Sequence, residues 1–212
     1  MKVRLLGFLV VALVLVPLAH ADQTQVNMIF SGVNGANDGQ YYVSPYNGKM
    51  DGTPVVLFCD DILNDVSVGE HWAANVTNLA AAINSHNFSA TRYGGAAGSK
   101  VTDPKIAYEE VAWLTTQFAG HPGDYIGLQY AIWDIMNPGT YGGVQYWLDQ
   151  AAKNYGSINP NNFEIVTNLG PVELKGQVQE FIVQTPEPSA LALLGFGLLA
   201  LGILLGRNRL HA

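Results

Sequence analysis

The spacing of apolar residues changes twice along this chain, and that restricts what it can fold into. From residue 25 to 58 short runs, QVNMIFSGV, YYV at 41–43 and PVVLF at 54–58, alternate or cluster in the manner of strands. SPYNGK and MDGTP lie between them, with Asn-Gly and Asp-Gly suited to tight turns. DVSVGEHW adds a further strand around Gly69, and the polar, glycine-rich residues 84–102 read as a loop. The period then becomes helical. Asp103 as N-cap and Pro104 at the first helical position open a helix whose Ala107, Val111, Leu114 and Phe118 share one face. Asp124 caps a second, with Tyr125, Leu128, Ile132 and Ile135 in line and Asn137-Pro138-Gly139 as its stop. A third runs from about Gly143 to Asn154, burying Val144, Trp147, Leu148 and Ala151. NFEIV at 162–166, LGPVEL at 169–174 and GQVQEFIVQ at 176–184 return to strand character. The order predicts an α+β fold: a β-sandwich or barrel carrying a helical insertion.

Two apolar segments flank this body. Lys2 and Arg4 precede an apolar run from Leu5 to Val16, Pro17 breaks it, and Ala19-His20-Ala21 is an A-x-A cleavage pattern. Residues 1–21 are thus read as a signal peptide and residues 22–185 as the exported domain. From Ala190 to Gly206 seventeen residues carry no charge and no polar side chain, the short end of a bilayer-spanning helix. Arg207 and Arg209 follow, which orients that segment with its end inside.

Pro186-Glu187-Pro188, then the apolar segment, then the arginine pair, resembles the PEP-CTERM sorting signal. The resemblance implies a domain boundary at 186–212, membrane anchoring in transit and an exosortase-type processing enzyme as partner. It also implies a final place on the surface or in the extracellular matrix of a Gram-negative bacterium. All seventeen acids lie between Asp22 and Glu187, offset there by Lys49, Arg92, Lys100, Lys105, Lys153 and Lys175 alone. So acidic a body does not suit nucleic acid as a partner.

Cys59, in VVLFCDD, is the only cysteine. In an oxidising compartment a lone thiol is an inert core residue, half of an intermolecular disulfide, or a reactive group. A glutamine, Gln129, interrupts the apolar and aromatic strip YIGLQYAIWD, and it shares a helix face with Trp133, four residues on. A buried amide must be hydrogen-bonded or it costs ~1–3 kcal/mol.

Phe58-Cys59 late in a strand, followed by Leu128-Gln129-Tyr130-Ala131-Ile132-Trp133 on a helix, resembles the thioester domain of bacterial surface adhesins. The likeness spans roughly residues 55 to 140. It implies an internal Cys59–Gln129 thioester that captures a nucleophile, an amine on a surface or matrix partner, with Phe58, Tyr130 and Trp133 shielding the bond from water. It implies acyl transfer without turnover, not an enzyme, and no cofactor.

Three other readings stand beside it. Cys59 could be inert core in a non-covalent matrix- or carbohydrate-binding module, given aromatic clusters such as YYVSPY and YGGVQYW. A cysteine hydrolase would take His71 or His121 as base and Asp60 or Asp124 as its orienting acid. Asp60, Asp61 and Asp65 lack the glycine and glutamate of a calcium loop, so no metal site is expected and a solvated acidic turn fits them better.

Overall fold

The computed structural model describes residues 24–185. Residues 1–21, read as a signal peptide, and the apolar segment 190–206 lie outside the described residues. The strands are β1 (Thr24–Val33), β2 (Tyr46–Met50), β3 (Thr53–Cys59), β4 (His71–Asn78), β5 (Phe163–Asn168) and β6 (Phe181–Gln184). They close into an antiparallel barrel in the order β1-β2-β3-β6-β5-β4. The helices are α1 (Leu79–Ser85), α2 (Arg92–Gly95), α3 (Pro104–Gln117), α4 (Tyr125–Met136) and α5 (Gln145–Asn154), all between β4 and β5. The α+β outline with a helical insertion is therefore observed, and the choice between sandwich and barrel resolves to a barrel.

Side chains alternate across a strand, so paired residues point to one face. Phe181, opposite Cys59, packs with Phe30 at 6.5 Å, Tyr46 at 6.2 Å and Trp72 at 6.0 Å between ring centres. This aromatic group fills the barrel. Phe58 points the other way and meets Phe118 at 5.1 Å, after the end of α3. α3 packs on β6, α4 and α5.

Several local expectations change. SPYNGK is not a turn: Gly48 lies inside β2, where a Cβ would come within 2.6 Å of the Leu57 side chain. The reversal is at Asp51-Gly52, with φ of 47° and 81°, the left-handed pair that a two-residue hairpin needs. The strand expected around Gly69 starts at His71 instead. Of the two late runs, 169–174 forms no strand and 176–184 contributes only Phe181–Gln184. The stretch 84–102 holds the end of α1 and all of α2, which Thr91 caps by accepting from the Gly94 N–H. Asp103 caps α3, accepting from the Ile106 N–H at 3.2 Å. Asp124 precedes α4 without capping it, because its carboxylate accepts from the Trp147 indole at 2.6 Å.

Candidate functional site

Cys59 ends β3 and Gln129 lies in the second turn of α4, and both are fully buried. The fold brings them together across 70 residues of sequence. The Gln129 Nε2 donates to the Cys59 carbonyl at 2.6 Å, and its Oε1 accepts from the Ser44 N–H at 2.9 Å. The Ser44 Oγ in turn accepts from the Cys59 N–H at 2.8 Å. The amide is thus held at both ends, and Ser44 joins the two residues by its backbone and its hydroxyl.

The thiol has its own partners. Sγ donates to the Asp61 carbonyl at 3.2 Å and accepts from the Trp133 indole N–H at 3.4 Å. Burial pushes its pKa well up, and the neighbouring Asp61 carboxylate adds to this. Cys59 is therefore a protonated thiol near neutral pH, unlike the thiolate of a cysteine hydrolase. The proposed bases are elsewhere: His71 is exposed at the start of β4, and the His121 ring lies 2.9 Å from the Gln117 carbonyl. Asp124 is engaged by Trp147.

Trp133 forms the lid on Cys59. Its ring meets Tyr130 at 5.9 Å, Tyr141 at 5.5 Å and, edge-on, Tyr41 at 5.8 Å. Tyr130 and Tyr141 stack at 4.0 Å. Tyr130 donates to the Asp38 carboxylate, a bond that pushes the phenol up to about 12. Trp133 thus touches the thiol directly, Tyr130 stacks on Trp133, and Phe58 faces the other way, against Phe118. A cavity of about 350 Å³ reaches this lid, lined by Tyr41, Tyr42, Tyr46, Asp65, Gln179 and Trp133 among others.

Beyond Cys59 the expectation of a solvated acidic turn fails. Asp60 and Asp61 are fully buried; only Asp65 is exposed. Asp61 pairs with Arg92 at 2.9 Å and accepts from Tyr93 at 3.0 Å and Asn64 at 2.9 Å. Glu180 accepts from the Arg92 N–H at 2.7 Å, Tyr108 at 2.6 Å and Thr167. Both Asp60 oxygens are buried without a hydrogen bond. Burial raises the pKa of all three carboxyls, most firmly for Asp60, which also feels Glu180 and Asp61. This network fixes the chain that follows the cysteine. Sequence reading missed Ser44 and Arg92, and had Tyr41 and Tyr141 only as members of the aromatic clusters YYVSPY and YGGVQYW. One signal was present: Arg92 is one of six basic residues in the body and stands beside a helix-capping Thr91.

No group of three or more His, Cys, Asp or Glu among the described residues is arranged to hold a metal ion, and none of the described helices is long and apolar enough to cross a membrane. No curated protein and no solved structure matches the chain. The family model of the PEP-CTERM protein-sorting motif matches residues 184–209, from the last residue of β6 through the arginine pair. That match covers the tail and leaves the barrel without a family. By it, the chain is similar to proteins exported through a membrane and sorted by an exosortase.

Proposed function

We propose that the barrel carries an internal Cys59–Gln129 thioester, which captures a nucleophilic amine on a partner after the sorting tail has brought the protein to the cell surface or matrix. The observation that supports this most is the clamp on the Gln129 amide between the Cys59 carbonyl and the Ser44 N–H. In the first step Sγ attacks the Gln129 Cδ. The Ser44 N–H already donates to the oxygen on which negative charge develops. The C–N bond then breaks and the nitrogen leaves as ammonia, taking up the thiol proton; no oxidant or reductant is needed. Fixed proximity replaces an improbable encounter, and aligned systems reach effective molarities of ~10⁵–10⁸ M. Trp133 and its aromatic neighbours limit the access of water, which would hydrolyse the product. In the second step an amine takes the acyl group and the thiol is released.

The remaining placement follows the same reading. Residues 1–21 are removed as a signal peptide, residues 22–185 act outside the cytoplasm, and the segment 190–206 holds the protein in the inner membrane until processing. The host is Gram-negative, and the product stays on its surface or in the extracellular matrix.

A second reading has its own support. The cavity over Trp133 is walled by Tyr41 and by Tyr42, which is 62% exposed, beside polar Gln179 and Asp65. Exposed aromatic faces with polar neighbours suit a sugar ring, and in that reading Cys59 is inert core.

Intact mass under non-reducing conditions, with Cys59→Ala alongside, separates the two. The thioester predicts a wild type lighter than its sequence by one ammonia, a variant at full mass, and methylamine added at Gln129. Full mass for both, with an unmodified Gln129 and a titratable thiol on unfolding, rejects it and leaves the non-covalent module.

A further inference from the structure

A second concavity, about 730 Å³ and distant from the thiol in character, opens beside the hairpin of β2 and β3. Pro54, Val55, Val56, Phe58, Phe118 and Tyr125 form its walls, and none of the described residues that line it is charged. Val56 is 46% exposed there. Gln184 and Thr185 also line it, which places the groove where the described chain gives way to the sorting tail.

We propose that this groove is a membrane-contact surface, which seats the barrel against the headgroup–acyl boundary of the bilayer that the tail enters. The inference rests on the membrane transit implied by the sorting motif and is independent of the thioester.

The tether length is the first reason. Thr185 is tied to the barrel by its N–H, which donates to the Asn162 carbonyl at 2.9 Å. Only residues 186–189 separate it from Ala190, where the apolar run begins. Fully extended, that spacer spans at most about 17 Å from Thr185 to Ala190. The headgroup layer on one side takes up roughly 5–8 Å of it. So short a leash brings the Thr185 end of the barrel to the bilayer, and the groove with it. Composition is the second reason. The body is acid-rich, and a charged carboxylate is costly to take out of water at the headgroup–acyl boundary, so the face that approaches lipid must be uncharged or basic. The groove is uncharged, Tyr125 supplies an aromatic ring of the kind enriched at interfaces, and exposed Lys49 pairs across the sheet with Pro54 at its edge.

The test uses the full chain reconstituted in phosphatidylcholine vesicles. Val56→Cys carries a polarity-sensitive fluorophore; buried Cys59 stays unlabelled, which the parent protein verifies. Lys175→Cys, an exposed position before the opposite end of β6, is the reference. Pro54→Cys reports on the same wall, so a poorly folded Val56 variant does not end the test. The expected result is blue-shifted emission at 56 and 54, quenched several-fold more by nitroxide lipids than the dye at 175. Water-like, unquenched emission at the groove overturns the proposal. Blue-shifted emission without lipid quenching also overturns it, because a protein segment, from the tail or a second copy, then fills the groove.

Discussion

Gln129 is a polar side chain whose burial is tolerable only because both ends of its amide are bonded. Replacing it by glutamate keeps the shape and removes the donor that faces the Cys59 carbonyl. In the Cys59→Ala background, where no thioester can form and the amide stays intact, Gln129→Glu is expected to lose roughly 1–3 kcal/mol of stability in urea titrations near neutral pH. The loss should shrink on acidification, since a protonated carboxyl donates again; a pH-independent loss would show that the contact to Cys59 contributes nothing. Trp133→Phe keeps an aromatic ring and removes the N–H that reaches Sγ. It should cost about 1–2 kcal/mol and, where the thioester forms, speed its hydrolysis as read by the decay of the ammonia-deficient mass. Gln129 and Trp133 were legible from spacing, because a polar residue at helical register in an apolar strip demands a partner; Cys59 stood out as the lone cysteine, and its link to Gln129 came from the resemblance to thioester domains. Ser44 was not: its N–H meets the Gln129 amide and its hydroxyl the Cys59 N–H, and no sequence pattern reports which distant groups they will reach.

At the level of elements, the helices were read well and the strands less so. α3 begins at Pro104 behind its Asp103 cap, and Asp103→Ala should cost about 1 kcal/mol in the same titration, with the thiol environment unchanged. Asp124 carried the same signal and does other work, because a tertiary partner, the Trp147 indole, competes for its carboxylate. Asn47-Gly48 misled for a similar reason. Its glycine makes room for Leu57 rather than for a turn, so Gly48→Ala is expected to cost roughly 1–3 kcal/mol, with the clash visible as a lowered urea midpoint. The 84–102 stretch looked like a loop because its hydrogen-bonding groups face inward, to Asp61 and Glu180, and give no apolar period.

Across the whole molecule, three buried carboxyls lie near one guanidinium, which pairs with Asp61. Asp60, Asp61 and Glu180 all hold their protons more tightly in the folded barrel than in the open chain, chiefly because burial disfavours their charge. Folding therefore takes up protons above about pH 4, where the open chain has begun to ionise, and stability falls as the pH rises toward the folded values. The urea midpoint should be higher at pH 5 than at pH 8. Asp60→Asn removes a carboxyl that has no hydrogen-bond partner and should flatten that slope; an unchanged slope would place the proton uptake elsewhere.

β6 sits between β3 and β5, which do not pair with each other, and it is the last strand of the barrel in chain order. A chain exported from its N-terminus delivers this keystone after everything else. Phe181, which stands opposite Cys59, belongs to this last strand, whose final residue begins the sorting motif. Until β6 is in place the barrel is open, and the chain offers Cys59 no second cysteine. On the proposed reading this sets an order of events: closure of the barrel first, chemistry at Cys59 afterwards, and release from the membrane last.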